Sequence, residues 1–119
     1  MNKTIYDFLK QFLTAYDATC VPTGSKAPSY PYLTYSYQIG EFGQETSLTV
    51  NLWYRTNSVA TPDAMAKNIY DTVGMGGVVI NGIWFKRGQP FCQSMTDDSD
   101  PLIKRRYINL IVERLTEEL

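Results

Sequence analysis

The chain has 119 residues, 44% hydrophobic and 13% aromatic, with 19% charged and a formal net charge of −1. That length fits one domain, spanning 1–119, that buries roughly two thirds of its unfolded surface and needs no disulfide or metal staple. The acidic balance argues against a dedicated nucleic-acid binder, no apolar run is long enough for a membrane span, and the start MNKTIYDFLKQF lacks the apolar core of a signal peptide.

The first element predicted is a helix over TIYDFLKQFLTAY. Ile5, Phe8, Leu9, Phe12, Leu13 and Tyr16 recur at the spacing of one helical face, and Thr4 with Asp7 resembles a cap. A Pro/Gly/Ser loop, CVPTGSKAPSYP, follows. From Tyr32 the period changes to two: Leu33, Tyr35, Tyr37 and Ile39 share one face, Thr34, Ser36 and Gln38 the other. SLTVNLWYR is a second strand, with Leu48, Val50, Leu52 and Tyr54 opposite Thr49, Asn51, Trp53 and Arg55. The two strands flank GEFGQET and read as an antiparallel hairpin whose tip exposes Glu41, Phe42 and Glu45.

A second helix begins at Thr61 as cap with Pro62 and Asp63 in its first turn, runs on the stripe Met65, Ala66, Ile69, Tyr70 and Val73, and stops at Gly74. VVINGIWF is a hairpin around Asn81-Gly82, pairing Ile80 with Ile83 and Val78 with Phe85. A short extended piece, FCQSM, an acidic loop, TDDSDP, and a strand in KRRYINLIVERL close the chain. The near-continuous apolarity of that last strand predicts a central position covered on both faces. The fold expected is α+β: a mostly antiparallel or mixed sheet with two helices packed on one face, in the order α-β-β-α-β-β-β-β.

Chemistry is scarce. With no histidine there is no usual general base and no Ser-His or Cys-His pair, so no catalytic, metal or cofactor residues are assigned and an enzyme is not expected. Cys20 and Cys92 read as reduced thiols of a cytosolic protein. The acidic run at 97–100 lacks the glycine and terminal glutamate of a calcium loop. The glycines of GMGGVVINGIWF follow a helix and precede strands, the reverse of a phosphate-binding turn. Lys86-Arg87 and Lys104-Arg105-Arg106 read first as solvent-exposed strand ends and second as a patch for an anionic neighbour.

The segment GGVVINGIWFKRGQPFCQSMTDDSDPLIKRRYINLIVERL, together with PYLTYSY after a first helix, resembles the tail terminator family of long-tailed bacteriophages and prophages, also called tail completion or minor tail proteins. The resemblance implies a homo-oligomeric, hexameric ring that caps the tail tube, ends its polymerisation and offers a surface to the head connector. The implied partners are further copies of itself, the tail tube protein and the head–tail connector protein, with DNA met only in passage through the lumen. Its place would be the virion tail, assembled in the host cytoplasm. On this reading Glu41, Phe42, Glu45 and Trp53 are ring or tube contacts, and Lys86, Arg87, Lys104, Arg105 and Arg106 are lumen-facing or intersubunit charges. A head–tail connector or stopper of the same fold is the nearest alternative. A module binding single-stranded nucleic acid or glycan through aromatics is the alternative of another class, weakened because Tyr32 is the one tyrosine of PYLTYSY on the Thr34/Ser36 face.

Overall fold

The computed structural model describes residues 2–19, 21–22, 27–38, 44–96 and 101–115. It is an α+β domain of two helices and one six-stranded sheet. In chain order the elements are α1 (Asn2–Leu9), β1 (Ala15–Asp17), β2 (Tyr32–Tyr37), β3 (Glu45–Arg55), α2 (Ala60–Val73), β4 (Val78–Ile80), β5 (Ile83–Thr96) and β6 (Ile103–Arg114). Across the sheet the order is β1-β2-β3-β6-β5-β4. Only β1 and β2 run parallel among the paired strands.

Both helices lie on one face, called inner below. The pleat of β3 turns Leu48, Val50, Leu52 and Tyr54 inward, as its alternation predicts, and the register sets Leu48 opposite Leu110 and Val50 opposite Ile108. Leu33 and Tyr35 of β2 and Phe85 of β5 join that face. Ile5, Phe8 and Leu9 of α1 and Ala66, Ile69 and Val73 of α2 close over it in a single buried cluster. The ring of Phe8 stacks on Phe85 at 4.4 Å between centroids. The molecule measures 43 × 32 × 21 Å, and its shortest dimension accommodates one helix layer on one sheet, given roughly 10 Å per layer.

Several expectations are corrected here. The first helix ends at Leu9, not near Tyr16. The Gln11 side chain donates to the Phe8 carbonyl at 2.7 Å and satisfies the helix end, after which residues 15–17 pair with β2 as a short extra strand. Helical spacing and strand pairing compete over Ala15–Tyr16, and the sheet edge wins. Thr4 lies inside α1 and is buried; Asp7 instead meets Lys3 at 2.7 Å and Lys10 at 3.1 Å. Helix α2 starts one residue before Thr61, with Val59 at the cap position and no side-chain cap bond. The Ser58 hydroxyl accepts from the Ala60 amide at 3.2 Å.

The hairpin at Asn81-Gly82 has the expected register, Ile80 to Ile83 and Val78 to Phe85. Both turn residues have positive φ, 48° and 78°, the requirement of a two-residue turn matched to strand twist. Replacing Gly82 by Ala is expected to cost about 1 kcal/mol, read as a lower urea midpoint with an unchanged slope.

FCQSM is not a separate strand but the second half of β5, reached through a register shift between Arg87 and Cys92. Strand β6 is central, between β3 and β5. Its inner residues Ile108, Leu110 and Val112 are fully buried, but Tyr107, Asn109 and Ile111 on the outer face are half-buried with no second helix layer over them. Coverage on both faces was expected; neighbouring outer-face side chains provide what cover there is. Residues 97–100 and the tip of the first hairpin, with Glu41 and Phe42, lie outside the described residues.

Candidate functional site: the outer face of the sheet

The outer face is built by the same alternation that builds the core, one residue out of phase. β3 contributes Glu45, Ser47, Thr49, Asn51 and Trp53, and β6 contributes Glu113, Ile111, Asn109, Tyr107 and Arg105 opposite them. Strand β2 adds Tyr32, Thr34 and Ser36, and β5 adds Trp84 and Lys86.

One end of this face carries an aromatic row. Trp53 stacks on Tyr32 with centroids 6.1 Å apart and planes 11° from parallel. Tyr32 in turn meets Tyr16 at 6.0 Å and Tyr30 at 5.4 Å. The Trp53 indole N–H donates to the buried Thr34 hydroxyl at 3.0 Å, and the Arg105 guanidinium lies over the indole at 5.1 Å. Burial pushes the Tyr32 phenol above its ordinary pKa, and the neighbouring Tyr30 and Tyr16 phenols push it the same way. Three tyrosines therefore share this face with Trp53, where Tyr32 was the one expected from PYLTYSY. Tyr16 was hidden because β1 continues a helical spacing, and Tyr30 because it precedes the strand.

The opposite end carries charge. Lys86 pairs with Glu45 of β3, stands 3.7 Å from Glu113 of β6, and lies 4.0 Å from the centroid of Trp84. The hydrogen bond from Lys86 to Glu45, the largest cause, raises the lysine pKa above its ordinary value. Three strands are thus tied by one ammonium. Glu113 was not singled out in the sequence; its signal is the period, since it is in phase with Ile111 and Asn109.

The two basic runs do not form one patch. Lys86 faces outward, whereas Arg87 faces inward, with its guanidinium 3.3 Å from the Tyr70 centroid and its Nε and a terminal nitrogen donating to the Tyr70 carbonyl at 3.0 and 2.9 Å. Lys104 bonds the Pro101 carbonyl, Arg105 covers Trp53, and Arg106 is buried inward against Asp63. Lys86 pairs with Ile111, five residues along β6 from Arg106, or about 17 Å at strand rise. Of the other sequence candidates, Glu45 and Lys86 come together, Trp53 and Arg105 come together, and these two groups occupy opposite ends.

Removing the indole should disturb more than a surface. Trp53→Ala strands the Thr34 hydroxyl and uncovers Tyr32, with an expected cost of about 1–2 kcal/mol. Trp53→Phe keeps the stacking and loses the N–H, so it should fall between the two in urea denaturation.

In comparisons with known proteins, no protein-family model matches this chain and no curated protein matches it.

Proposed function

We propose that this chain is a structural virion-assembly protein: copies form a ring that caps a phage tail tube, ends its polymerisation and presents a surface for joining to the head. The observation that carries this reading is the uncovered outer face of β3, β6 and β5, where Trp53, Tyr107 and Ile111 are half-buried with no second layer. Aromatic residues at the centre of a surface, rimmed by charges such as Glu45, suit a protein–protein interface. The sequence resemblance to tail terminators supplies the identity of the assembly, and the α+β architecture with both helices on one side is compatible with it. Enzymatic activity is not part of the proposal. The proposed partners are other copies, the tail tube protein and the head–tail connector protein, with DNA passing through the lumen.

The test is light scattering of the concentrated protein, followed by electron microscopy alone and with isolated tail tubes. Terminal rings on tubes are the expected result. Rings found on capsid portals and never on tubes would sink the terminator role in favour of a connector or stopper.

The row of Tyr16, Tyr30, Tyr32 and Trp53 favours a second reading, in which the face binds bases or sugar rings by stacking. Titration with a labelled oligonucleotide and a glycan panel at low salt separates it from the first: no change in Trp53 fluorescence ends it.

A further inference from the structure

We propose that the ring is held by continuation of the sheet from one copy into the next, with the edge of β1 pairing along the outer edge of β5 beyond its bulge. The inference rests on the ring reading above.

The hairpin strand β4 covers only Ile83–Phe85 of β5. Beyond the register shift, residues 92–96 pair with β6 on one side, and among the described residues no strand lies on the other. Cys92, Gln93 and Ser94 are exposed there. An unpaired strand edge presents amide donors and carbonyl acceptors in a row, and another extended backbone is the chemistry that matches it.

A groove of about 430 Å³ runs beside this edge, walled by Ala66, Lys67 and Tyr70 of α2 and floored by Phe91 and Cys92. Phe91 packs edge-on against Tyr70 at 5.0 Å. A strand added to β5 turns every second side chain toward this groove. The charges around it already have partners, Asp63 with Arg106 at 2.7 Å and Asp71 with Lys67 at 2.8 Å. An uncharged segment therefore matches it better than a charged one.

Such a segment borders the opposite end of the sheet. Strand β1 pairs with β2 alone among the described residues, and Leu13-Thr14-Ala15, entering it, carries no charge. Leu13 is half-buried in its own subunit and supplies an apolar side chain near the junction. The two edges differ in sequence and face away from each other across the sheet. Pairing one with the other is a heterologous contact, which repeats head to tail and closes into a ring; a two-fold dimer would join like to like.

Cys92 makes the test direct. In a Cys20→Ser background, Asp17→Cys places a second thiol on β1, and the oligomer is treated with a mild oxidant. The expected result is a ladder of disulfide-linked species up to the full ring, abolished when Cys92 is also replaced by Ser. Thr19→Cys, exposed two residues past β1, repeats the measurement if the first variant folds poorly. Rings without a ladder in either variant overturn this inference and leave the ring reading standing. Dimers formed through Cys92 alone overturn it too, because they mean that β5 meets β5. A chain that stays monomeric, both alone and on tubes, overturns the ring reading and the inference together.

Discussion

Phe85→Ala is expected to destabilise the domain by about 3–5 kcal/mol, the range for removing a fully buried phenylalanine. The thermal midpoint should fall on the order of 10–20 °C. Phe85 is 0% exposed and lies where three parts of the fold meet. Its strand neighbours are Val78 and Val112, and its ring stacks on Phe8 from α1. Truncation therefore removes apolar contact and leaves a cavity between a helix and three strands that cannot close without moving α1. Val79→Ala is the control, because Val79 is 55% exposed on the outward pleat of β4, and a change within about 0.5 kcal/mol is expected. The Phe8→Ala and Phe85→Ala pair should be non-additive by about 0.5–1.5 kcal/mol. Equal effects at Phe85 and Val79 would mean that the pleat of the second hairpin is assigned to the wrong faces.

The second hairpin was legible because two independent signals agree: Asn-Gly demands positive φ at both turn residues, and the alternation on either side fixes the register. The inward phase of β3 and β6 was legible for the same reason, through Leu48, Val50, Leu52 and Ile108, Leu110, Val112. What failed is equally specific. Ala15–Asp17 is three residues long, too short to show a period of two, and its tyrosine falls where a continued helix would place one. The bulge in β5 puts glycine and proline between Arg87 and Cys92, so the sequence looks like a break where one strand continues. Gly88 is needed there: a Cβ would lie 2.5 Å from the Asn109 carbonyl oxygen.

The candidate surface was less legible than the core. Trp53 could be assigned to the outward pleat from β3 alone, but its stacking on Tyr32 and its cover by Arg105 depend on strand order. That order sets β2 and β6 on either side of β3, although β6 lies about fifty residues further along the chain. Nothing local encodes that adjacency. The charge runs were misleading for a simpler reason. Consecutive residues in a strand point to opposite faces, so KRR cannot present three cations together.

Arg106 turns that rule into a prediction. It is in phase with Ile108, Leu110 and Val112, it is 4% exposed, and its Nε donates to Asp63 at 2.7 Å, with a second nitrogen reaching the Arg105 carbonyl at 3.3 Å. Asp63, in the first turn of α2, is 59% exposed. The two partners are therefore unequal. Asp63→Ala leaves a guanidinium buried without its carboxylate; breaking a fully buried pair costs about 3–5 kcal/mol, and the open carboxylate side reduces this to about 2–3 kcal/mol. Arg106→Leu leaves a carboxylate that water can reach and puts an aliphatic group into an aliphatic row, so a change within about 1 kcal/mol is expected. In the double variant Asp63→Ala/Arg106→Leu most of the loss seen in Asp63→Ala should be recovered. Urea denaturation of all four proteins measures the cycle. A larger loss for Arg106→Leu than for Asp63→Ala would show that arginine packing, and not its charge pairing, holds this end of α2. The outcome bears on assembly as well, because the same turn of α2 forms the wall of the groove beside β5. If the pair sets that wall, Asp63→Ala should weaken oligomer formation more than Arg106→Leu does.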